Sequence, residues 1–332
     1  MKKAELLEVL NLLKPGISCK ELVDQSDHVI FKKKYVYSFD GEIGAWKKFS
    51  SPIQGAVKAV QFMALINRIK DEDIDIKTKN DKITINNDRM KVEFKVLSDI
   101  ELEFPFDPSE IKKWKKLPDN FLEAIKLTSF STSKDPSDGV LTHLYVKGDN
   151  LMSCDRFRLT KYKLDSTMEE FLLPVSSAEK LLKYPVKEYY VEEGWVCFKG
   201  EGDVYVNCLR TVEEYPTMEH LFKVKGKKIK LPAGSKEAIE DVNILSTAEI
   251  EEDRFINITS TGTELFFLGQ GQYGSMEEKI ENVDLKGKIF DIKVHPVYIK
   301  QIIEHVDTFT IGEDSLLFEG KNFQHVLSLT EE

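Results

Sequence analysis

The chain has 332 residues, of which 41% are hydrophobic and 31% charged. This composition is typical of folded globular proteins and excludes wholesale disorder or a fibrous class. The formal net charge of −10 at pH 7 excludes a protein that coats nucleic acid through bulk positive charge, because phosphate neutralisation is the main source of non-specific affinity.

The N-terminal segment lacks the features of an export signal. Glu5 and Glu8 stand where a secretory signal needs an unbroken apolar core. No later stretch approaches the roughly 18 apolar residues of a membrane span. The four cysteines have no C-x-x-C spacing, which favours free thiols over disulfides or a zinc site. We therefore expect a cytoplasmic protein without membrane contact.

An amphipathic helix followed by a strand, a tight turn and a second strand occurs three times along the chain. The helices are predicted at 60–70, 175–184 and 294–306. The turns are predicted at Asn80-Asp81, Glu193-Gly194 and Gly312-Glu313-Asp314. Alternation of apolar and polar residues on both sides of each turn predicts hairpins with one buried face.

A second repeat places the pairs Leu117-Pro118 and Leu231-Pro232 at an offset of 114 residues. Each pair follows a predicted strand, at 111–116 or 227–231, and precedes an apolar pattern with helical spacing. Since the chain is close to three such offsets long, we expect three similar α+β domains with boundaries near Pro108 and Phe222. The predicted domains are 1–107, 108–222 and 223–332.

The middle of the chain carries the most specific motifs. Residues 154–159 read C-D-R-F-R-L, residues 171–183 read F-L-L-P-V-S-S-A-E-K-L-L-K, and residues 206–222 form a third segment, V-N-C-L-R-T-V-E-E-Y-P-T-M-E-H-L-F. In this order they resemble the "T-D-G-H-R-L", "V-P-R-K" and "G-R-F-P-D-Y-R-R-V-L-P" motifs of the bacterial DNA polymerase III β subunit, the β sliding clamp. The helical segments near residues 55–69 and 290–306 are similar to the second helices of the outer clamp domains.

Two departures from this pattern fall in the family's partner-binding cleft. Arg156 stands where the family has glycine and Phe157 where it has histidine. The family's C-terminal "M-P-M-R-L" is replaced by S-L-T-E-E at 328–332. These changes are typical of a divergent or phage-encoded clamp, and they leave open whether the cleft binds standard clamp-binding peptides.

The resemblance implies an α+β fold of three similar domains, each with two helices on antiparallel sheets. It further implies a head-to-tail homodimeric ring that encircles double-stranded DNA without sequence preference. The partners would be a clamp loader and a replicative DNA polymerase, bound through a hydrophobic peptide cleft. No enzymatic activity, cofactor or metal is expected. The alternative is a clamp-like protein that sequesters replication partners without encircling DNA.

The resemblance also assigns candidate residues to three surfaces. The peptide cleft would be lined by Leu141, Cys154, Arg156, Phe157, Arg158, Leu159, Pro216, Leu221, Leu317, Val326 and Leu329. DNA-facing cations on the proposed helices would be Lys58, Arg68, Lys126, Lys134, Lys180, Lys183, Lys236 and Lys300. The dimer interface would include Phe94, Ile244 and Leu245. For many of these the alternative is an ordinary core residue or a solvated lysine.

Two further patterns suggest other chemistry. Residues 269–274 satisfy G-x-G-x-x-G, but no well-formed amphipathic helix follows, so a hairpin loop is favoured over a dinucleotide site. The run 112–116 combines four lysines with Trp114; an exposed strand with a packed tryptophan is favoured over a nucleic-acid patch. The six histidines are dispersed without a metal-binding motif.

Overall fold

The computed structural model describes residues 1–21, 23–86, 90–104 and 107–330. Its α-helices are α1 (Lys3–Leu13), α2 (Ala59–Arg68), α3 (Phe121–Thr128), α4 (Val175–Leu181), α5 (Ser235–Asn243) and α6 (Pro296–Ile303). Short 3₁₀ helices occupy Lys14–Gly16, Pro108–Glu110, Ser129–Ser131, Pro136–Thr142, Glu219–Phe222 and Glu251–Asp253. None of the described helices has the length and apolarity that a membrane crossing needs.

The strands of the described residues belong to four sheets. In chain order they are β1 (His28–Phe31), β2 (Tyr35–Phe39), β3 (Ile43–Lys48), β4 (Gly55–Lys58), β5 (Ile76–Lys79), β6 (Lys82–Asn86), β7 (Lys91–Lys95), β8 (Lys115–Lys116), β9 (His143–Cys154), β10 (Arg158–Pro174), β11 (Val186–Glu192), β12 (Trp195–Gly200), β13 (Val204–Leu209), β14 (Lys227–Lys230), β15 (Ile256–Ser260), β16 (Glu264–Gly271), β17 (Gly274–Glu281), β18 (Phe290–Val294), β19 (Thr308–Ile311), β20 (Ser315–Glu319) and β21 (Phe323–Ser328).

The chain divides into two compact units. Unit 1 comprises Met1–Leu122 and Met168–Val212, and unit 2 comprises Glu123–Thr167 and Glu213–Glu332. The predicted boundaries of the three domains, at 1–107, 108–222 and 223–332, remain predictions. Each of these three ranges does contain two of the α-helices.

Unit 1 contains an eight-stranded sheet of order β4-β1-β2-β3-β13-β12-β11-β8 and a three-stranded sheet of order β5-β6-β7. The larger sheet joins distant parts of the sequence, because β3 pairs antiparallel with β13. Helix α2 buries Ala59, Phe62, Met63 and Ile66, the i, i+3, i+4, i+7 spacing of one helical face.

Unit 2 contains a four-stranded sheet of order β17-β16-β15-β18 and a six-stranded sheet of order β14-β19-β20-β21-β10-β9, to which β10 contributes its residues up to Thr167. Helices α5 and α6 contribute Ile239, Val242 and Ile299 to a core that also holds Phe267 and Phe318. This one cluster takes apolar residues from both sheets and both helices, so it stabilises the whole unit.

The three predicted hairpins are confirmed. Strands β5 and β6 pair across Asn80 and Asp81, whose φ values of 49° and 58° are those of the primed turns that match strand twist. Strands β11 and β12 pair across Glu193-Gly194, and β19 pairs with β20 across the turn at 312–314.

The predicted strand at 111–116 is wrong in length, because only Lys115 and Lys116 form β8 and they pair with β11. Its lysine-rich sequence lies at the edge of the eight-stranded sheet, where charged residues keep the edge solvated. Trp114 packs against Tyr205 at a ring distance of 5.7 Å, which confirms a packed tryptophan.

Candidate functional site

The largest concentration of predicted cleft residues surrounds a cavity of about 420 Å³ in unit 2. Its walls come from the turn between β9 and β10, the 220–225 segment, the 312–315 turn and strand β21. The lining comprises Cys154, Arg156, Phe157, Arg158, Leu159, His220, Leu221, Lys223, Val224, Lys225, Gly312, Glu313, Asp314, Ser315, Val326 and Ser328. We call this cavity the cleft.

The apolar floor of the cleft is built by register between three neighbouring strands. Val326 of β21 lies opposite Leu159 of β10 and opposite Leu317 of β20. These three side chains form a cluster with Cys154 and Phe222, to which Leu141, Met218 and Val224 add partly buried area. Burial raises the pKa of the Cys154 thiol, so this side chain acts as a small apolar residue rather than a thiolate.

The turn at 155–158 is fixed by the carboxylate of Asp155. Its Oδ1 accepts hydrogen bonds from the backbone N–H groups of Phe157, at 3.2 Å, and Arg158, at 3.0 Å, the pattern of an Asx turn. Oδ2 accepts from Arg158 Nε at 2.7 Å. Burial raises the pKa of Asp155, and Arg158 opposes this shift. Because the Arg158 guanidinium also lies 4.1 Å from the Tyr298 ring centroid, it supports the turn and is not a free cation.

Arg156 adopts a backbone conformation that its residue type disfavours. Its φ is +77°, in the left-handed region that favours glycine. The guanidinium forms an ion pair with Asp138, whose carboxylate also accepts a hydrogen bond from Ser133 Oγ at 2.6 Å. The sequence predicted a loss of glycine's backbone freedom at this position; the turn nevertheless keeps the left-handed geometry, held by these polar contacts.

A second cavity, of about 410 Å³, shares the three residues Arg156, Phe157 and Arg158 with the cleft. Its other walls include His295 and Tyr298, whose rings stack at 3.9 Å. Burial lowers the pKa of His295, so this ring is neutral near pH 7. The Phe157 side chain, 36% exposed, thus lies between two concave surfaces and is available to a bound molecule.

The structure brings most predicted cleft residues together. Those that line the cleft are Cys154, Arg156, Phe157, Arg158, Leu159, Leu221 and Val326. Leu141 and Leu317 belong to the apolar cluster beneath it. Pro216 is exposed and does not line the cavity, and Leu329 packs against the main core of unit 2. Sequence reasoning missed Lys223, Val224 and Lys225, which follow the last quoted motif directly.

The predicted DNA-facing cations differ in their surroundings. Four form ion pairs: Lys58 with Asp27, Lys180 with Asp40, Lys236 with Glu304 and Lys300 with Glu240. The other four, Arg68, Lys126, Lys134 and Lys183, are exposed and have no carboxylate partner among the described residues. Their role at DNA stays a prediction.

The expectation that all these cations lie on helices is wrong for three of them. Lys58 ends β4 immediately before α2. Lys134 precedes Asp135, whose side chain caps the next 3₁₀ helix. Lys183 follows α4, which ends before Tyr184-Pro185, because the residue before a proline disfavours the helical region.

The three predicted interface residues lie near sheet edges. Phe94 is on β7, an edge strand of the three-stranded sheet, and its ring lies 5.4 Å from that of Phe62. Ile244 and Leu245 follow α5, which packs on β16 and the edge strand β17. Ile244 is 69% exposed, so its side chain contributes little apolar area to the core.

The predicted hairpin at the G-x-G-x-x-G segment is confirmed, because β16 and β17 pair from Glu264↔Glu281 to Gly271↔Gly274. A phosphate-binding loop needs a helix that begins at the motif, and a strand begins at Gly274 instead.

No protein-family model matches the sequence, and no curated protein sequence matches it. Solved structures do match over the full chain. A DNA polymerase III β chain from Streptococcus pneumoniae is 16% identical, with a TM-score of 0.86, and the match covers 100% of this chain and 98% of that one. The DNA polymerase sliding clamp of Bacillus subtilis is 16% identical, with a TM-score of 0.83 and the same coverage.

The Helicobacter pylori β clamp, in a structure with a bound DNA ligase peptide, is 16% identical, with a TM-score of 0.81 and coverage of 100% and 99%. The chain therefore has the fold of the DNA polymerase III β-subunit sliding clamps. This confirms the fold class that the motifs at 154–159, 171–183 and 206–222 implied.

Proposed function

We propose that this protein is a DNA sliding clamp, a non-enzymatic processivity factor that closes around double-stranded DNA as a head-to-tail dimer and tethers a replicative DNA polymerase. The observation that carries the proposal is the extent of the structural likeness. It covers all of this chain and 98–99% of each clamp chain, so it concerns a whole clamp protomer rather than one shared domain.

Charge supports a topological rather than an adhesive hold on DNA. The net charge is −10, and four of the eight candidate cations are already paired with carboxylates. Few phosphate contacts then remain, which would give weak non-specific affinity. A closed ring needs little contact energy, and weak contacts let it slide.

Two free sheet edges support the proposed dimer. Edge strand β7 carries two lysines and one glutamate, and edge strand β17 carries three glutamates and one lysine. Edges of opposite net charge favour pairing with each other over pairing with themselves. A contact between two different surfaces of the same chain is heterologous, as a head-to-tail ring requires.

The cleft supports a partner that inserts apolar side chains. Its floor of Leu159, Leu317 and Val326 suits one or two such side chains, and a few anchors of this kind generally supply most of the affinity. The 220–225 wall carries the exposed Lys223 and Lys225, and the 312–315 turn carries the exposed Glu313 and Asp314. We infer that the preferred peptide carries a carboxylate beside its apolar anchors, on the side that faces the 220–225 wall.

A loading assay on circular DNA tests the main proposal. With a clamp loader and ATP, the protein should remain on nicked circular DNA through gel filtration and leave when the DNA is cut once into a linear form. A protein that remains on linear DNA holds it by adhesion, which would contradict the proposal.

The alternative function, a protein that sequesters replication partners without encircling DNA, is favoured by the departures from the clamp motifs at Arg156, Phe157 and the 328–332 segment. The same assay distinguishes it, because such a protein would not load on either form of DNA while still binding polymerase. A protein that binds polymerase but does not load on DNA would therefore support the sequestering function and contradict the clamp proposal.

Peptide binding tests the cleft separately. Two synthetic peptides with the same adjacent leucine and phenylalanine, one with a neighbouring aspartate and one with a lysine there, should differ in affinity by fluorescence anisotropy in favour of the aspartate. Phe157→Ala should weaken binding at least about tenfold, whereas Val212→Ala, at an exposed position of unit 1, should not. Equal affinity of Phe157→Ala and the wild type would reject the cleft.

A further inference from the structure

Three potential metal ligands converge in unit 1, beside Lys58. Glu21, Asp27 and His28 place one ligand atom each within 4.8 Å of one another. His28 Nδ1 lies 2.7 Å from Asp27 Oδ1 and 3.9 Å from Glu21 Oε1. The backbone fixes two of these residues, because His28 begins β1 opposite Lys58 and the Asp27 carbonyl accepts a hydrogen bond from Ala59 N–H at 3.1 Å.

Two of the three ligand atoms lack hydrogen-bond partners, whereas Glu21 Oε1 accepts a hydrogen bond from the Gln25 backbone N–H at 2.8 Å. The His28 side chain is only 7% exposed, and neither its Nδ1 nor Asp27 Oδ1 has a partner with hydrogen-bond geometry. Buried polar side-chain atoms are nearly always satisfied. The two atoms are 2.7 Å apart, but neither has a hydrogen-bond partner. A cation bound by both atoms would satisfy them.

We propose that Glu21, Asp27 and His28 form a binding site for a zinc-like divalent transition-metal ion, which the sequence did not lead us to expect. Imidazole nitrogen and carboxylate oxygen are both zinc ligands, and three protein ligands leave one position open. Tetrahedral zinc with bonds of about 2.0–2.1 Å separates its ligand atoms by about 3.3 Å. The two measured separations, 2.7 and 3.9 Å, lie on either side of this value, and Glu21, 42% exposed, has room to adjust.

Lys58 supports the site from outside. Its Nζ lies 2.7 Å from Asp27 Oδ2 and 3.7 Å from Glu21 Oε2, so it contacts the oxygen atoms that the cluster does not use. A partner on the far oxygen orients a ligating carboxylate. Lys58 also offsets part of the negative charge of the empty cluster, so it stabilises the arrangement before an ion arrives.

Imidazole selects among cations. Calcium and magnesium prefer oxygen ligands alone, whereas imidazole suits zinc, cobalt and nickel. We therefore expect zinc and cobalt to bind the full-length protein at one ion per chain and calcium to bind far more weakly.

Calorimetric titration of the chelator-stripped, full-length protein with zinc tests the site. Wild type should bind one zinc per chain and unfold at a higher temperature with zinc present, since a ligand that binds only the native state stabilises it. His28→Phe keeps a ring in the buried position and should weaken binding at least tenfold. Glu21→Gln alters an exposed residue, so the fold should survive while the affinity falls by a similar factor.

Two controls and one spectrum make the test decisive. His220→Gln and Cys19→Ser change exposed groups outside the three ligands and should bind zinc as wild type does. Cobalt in the site should show nitrogen and oxygen ligation without thiolate absorption. Absence of saturable zinc binding, wild-type affinity in both ligand variants, or loss of binding in Cys19→Ser with a thiolate spectrum would overturn the assignment. These readouts involve no DNA, so they stand apart from the clamp proposal.

Discussion

At the scale of single residues, Arg156 shows how a site tolerates a disfavoured side chain. The residue has a φ of +77° and lines both the cleft and the cavity beside it. A non-glycine residue in this region costs on the order of 1 kcal/mol. The ion pair with Asp138 offsets part of that cost, which explains how the turn keeps its geometry without glycine.

We predict that Arg156→Gly is more stable than Arg156→Ala. Both variants lose the ion pair. The positive φ is strained for alanine but not for glycine, so the free energy of unfolding should be about 1 kcal/mol higher for the glycine variant. Urea denaturation of the two variants measures this difference. Equal stability of the two variants would show that the alanine variant adopts another backbone conformation at this turn without cost. The φ of +77° would then not be a source of strain.

His325 gives a second prediction, for the pH dependence of stability. The ring is fully buried and its Nδ1 lies 2.7 Å from Thr160 Oγ1. Burial lowers its pKa to about 3 from the ordinary 6.5, and the nearby Arg158 adds to the shift. Below pH 6.5 the unfolded chain therefore binds a proton at His325 that the native chain does not bind. The contribution of His325 to the free energy of unfolding is thus complete above pH 6.5 and is lost as the pH falls.

One such group changes the free energy of unfolding by about 1.4 kcal/mol per pH unit. Between pH 6.5 and 5, the wild type should lose about 2 kcal/mol more than His325→Gln does, as measured by urea denaturation at each pH. His220→Gln, at an exposed position, should keep the wild-type slope. A wild-type slope in His325→Gln would show that His325 is not the group responsible.

The residues of the cleft could be predicted only in part. The C-D-R-F-R-L segment was located through its resemblance to a clamp motif, and a single turn keeps these adjacent residues together. The ion pairs of the candidate cations could not be predicted, since Lys180 meets Asp40 and Lys300 meets Glu240 through tertiary packing over 60 to 140 residues. Leu329 was assigned by motif position, but it follows the end of β21 at Ser328 and packs against the main core of unit 2.

At the scale of elements, the glycines at 269–274 have a packing role. Gly269 and Gly271 lie on the same face of β16, two residues apart. A Cβ atom on Gly269 would lie 1.9 Å from the Val242 carbonyl oxygen, and one on Gly271 would lie 2.6 Å from that of Leu245. The end of α5 therefore approaches the strand closely, which only glycine permits.

Gly269→Ala should accordingly destabilise the protein by about 2 kcal/mol or more, because the added methyl group meets rigid backbone and α5 must move. Gln270→Ala changes an exposed residue on the opposite face and should alter the free energy of unfolding by less than about 0.5 kcal/mol. Urea denaturation of both variants measures the contrast. A neutral Gly269→Ala would show that α5 does not need this close approach.

The elements themselves were largely predictable, with errors at their boundaries. Hairpins were identified because residue alternation and turn chemistry are local. Helix α6 spans Pro296–Ile303 within the predicted 294–306, since apolar spacing alone does not mark where hydrogen bonding ends. The eight-stranded sheet was not predicted: its β3 to β13 pair joins residues more than 150 positions apart, and no local pattern encodes such a pair.

At the scale of the whole molecule, the proposed ring depends on contacts that a single chain leaves unmade. Ile244 is 69% exposed at the end of α5, and β7 and β17 end their sheets. Phe94, also predicted at the interface, packs on the buried Phe62, so its replacement would disturb the fold of unit 1. Ile244 is the cleaner position for a test, because its side chain contributes little to the core.

We predict that Ile244→Glu separates the proposed dimer into monomers while the unfolding transition stays close to that of wild type. A carboxylate placed in an apolar contact must be desolvated without a partner, which should raise the dimer dissociation constant at least about tenfold. Light scattering over a range of protein concentrations measures the change. Val212→Glu introduces the same charge at a position that is 73% exposed in unit 1 and should leave the dimer intact. A dimer that persists in Ile244→Glu would place the interface elsewhere, whereas monomers in both variants would make added charge, not this contact, the cause.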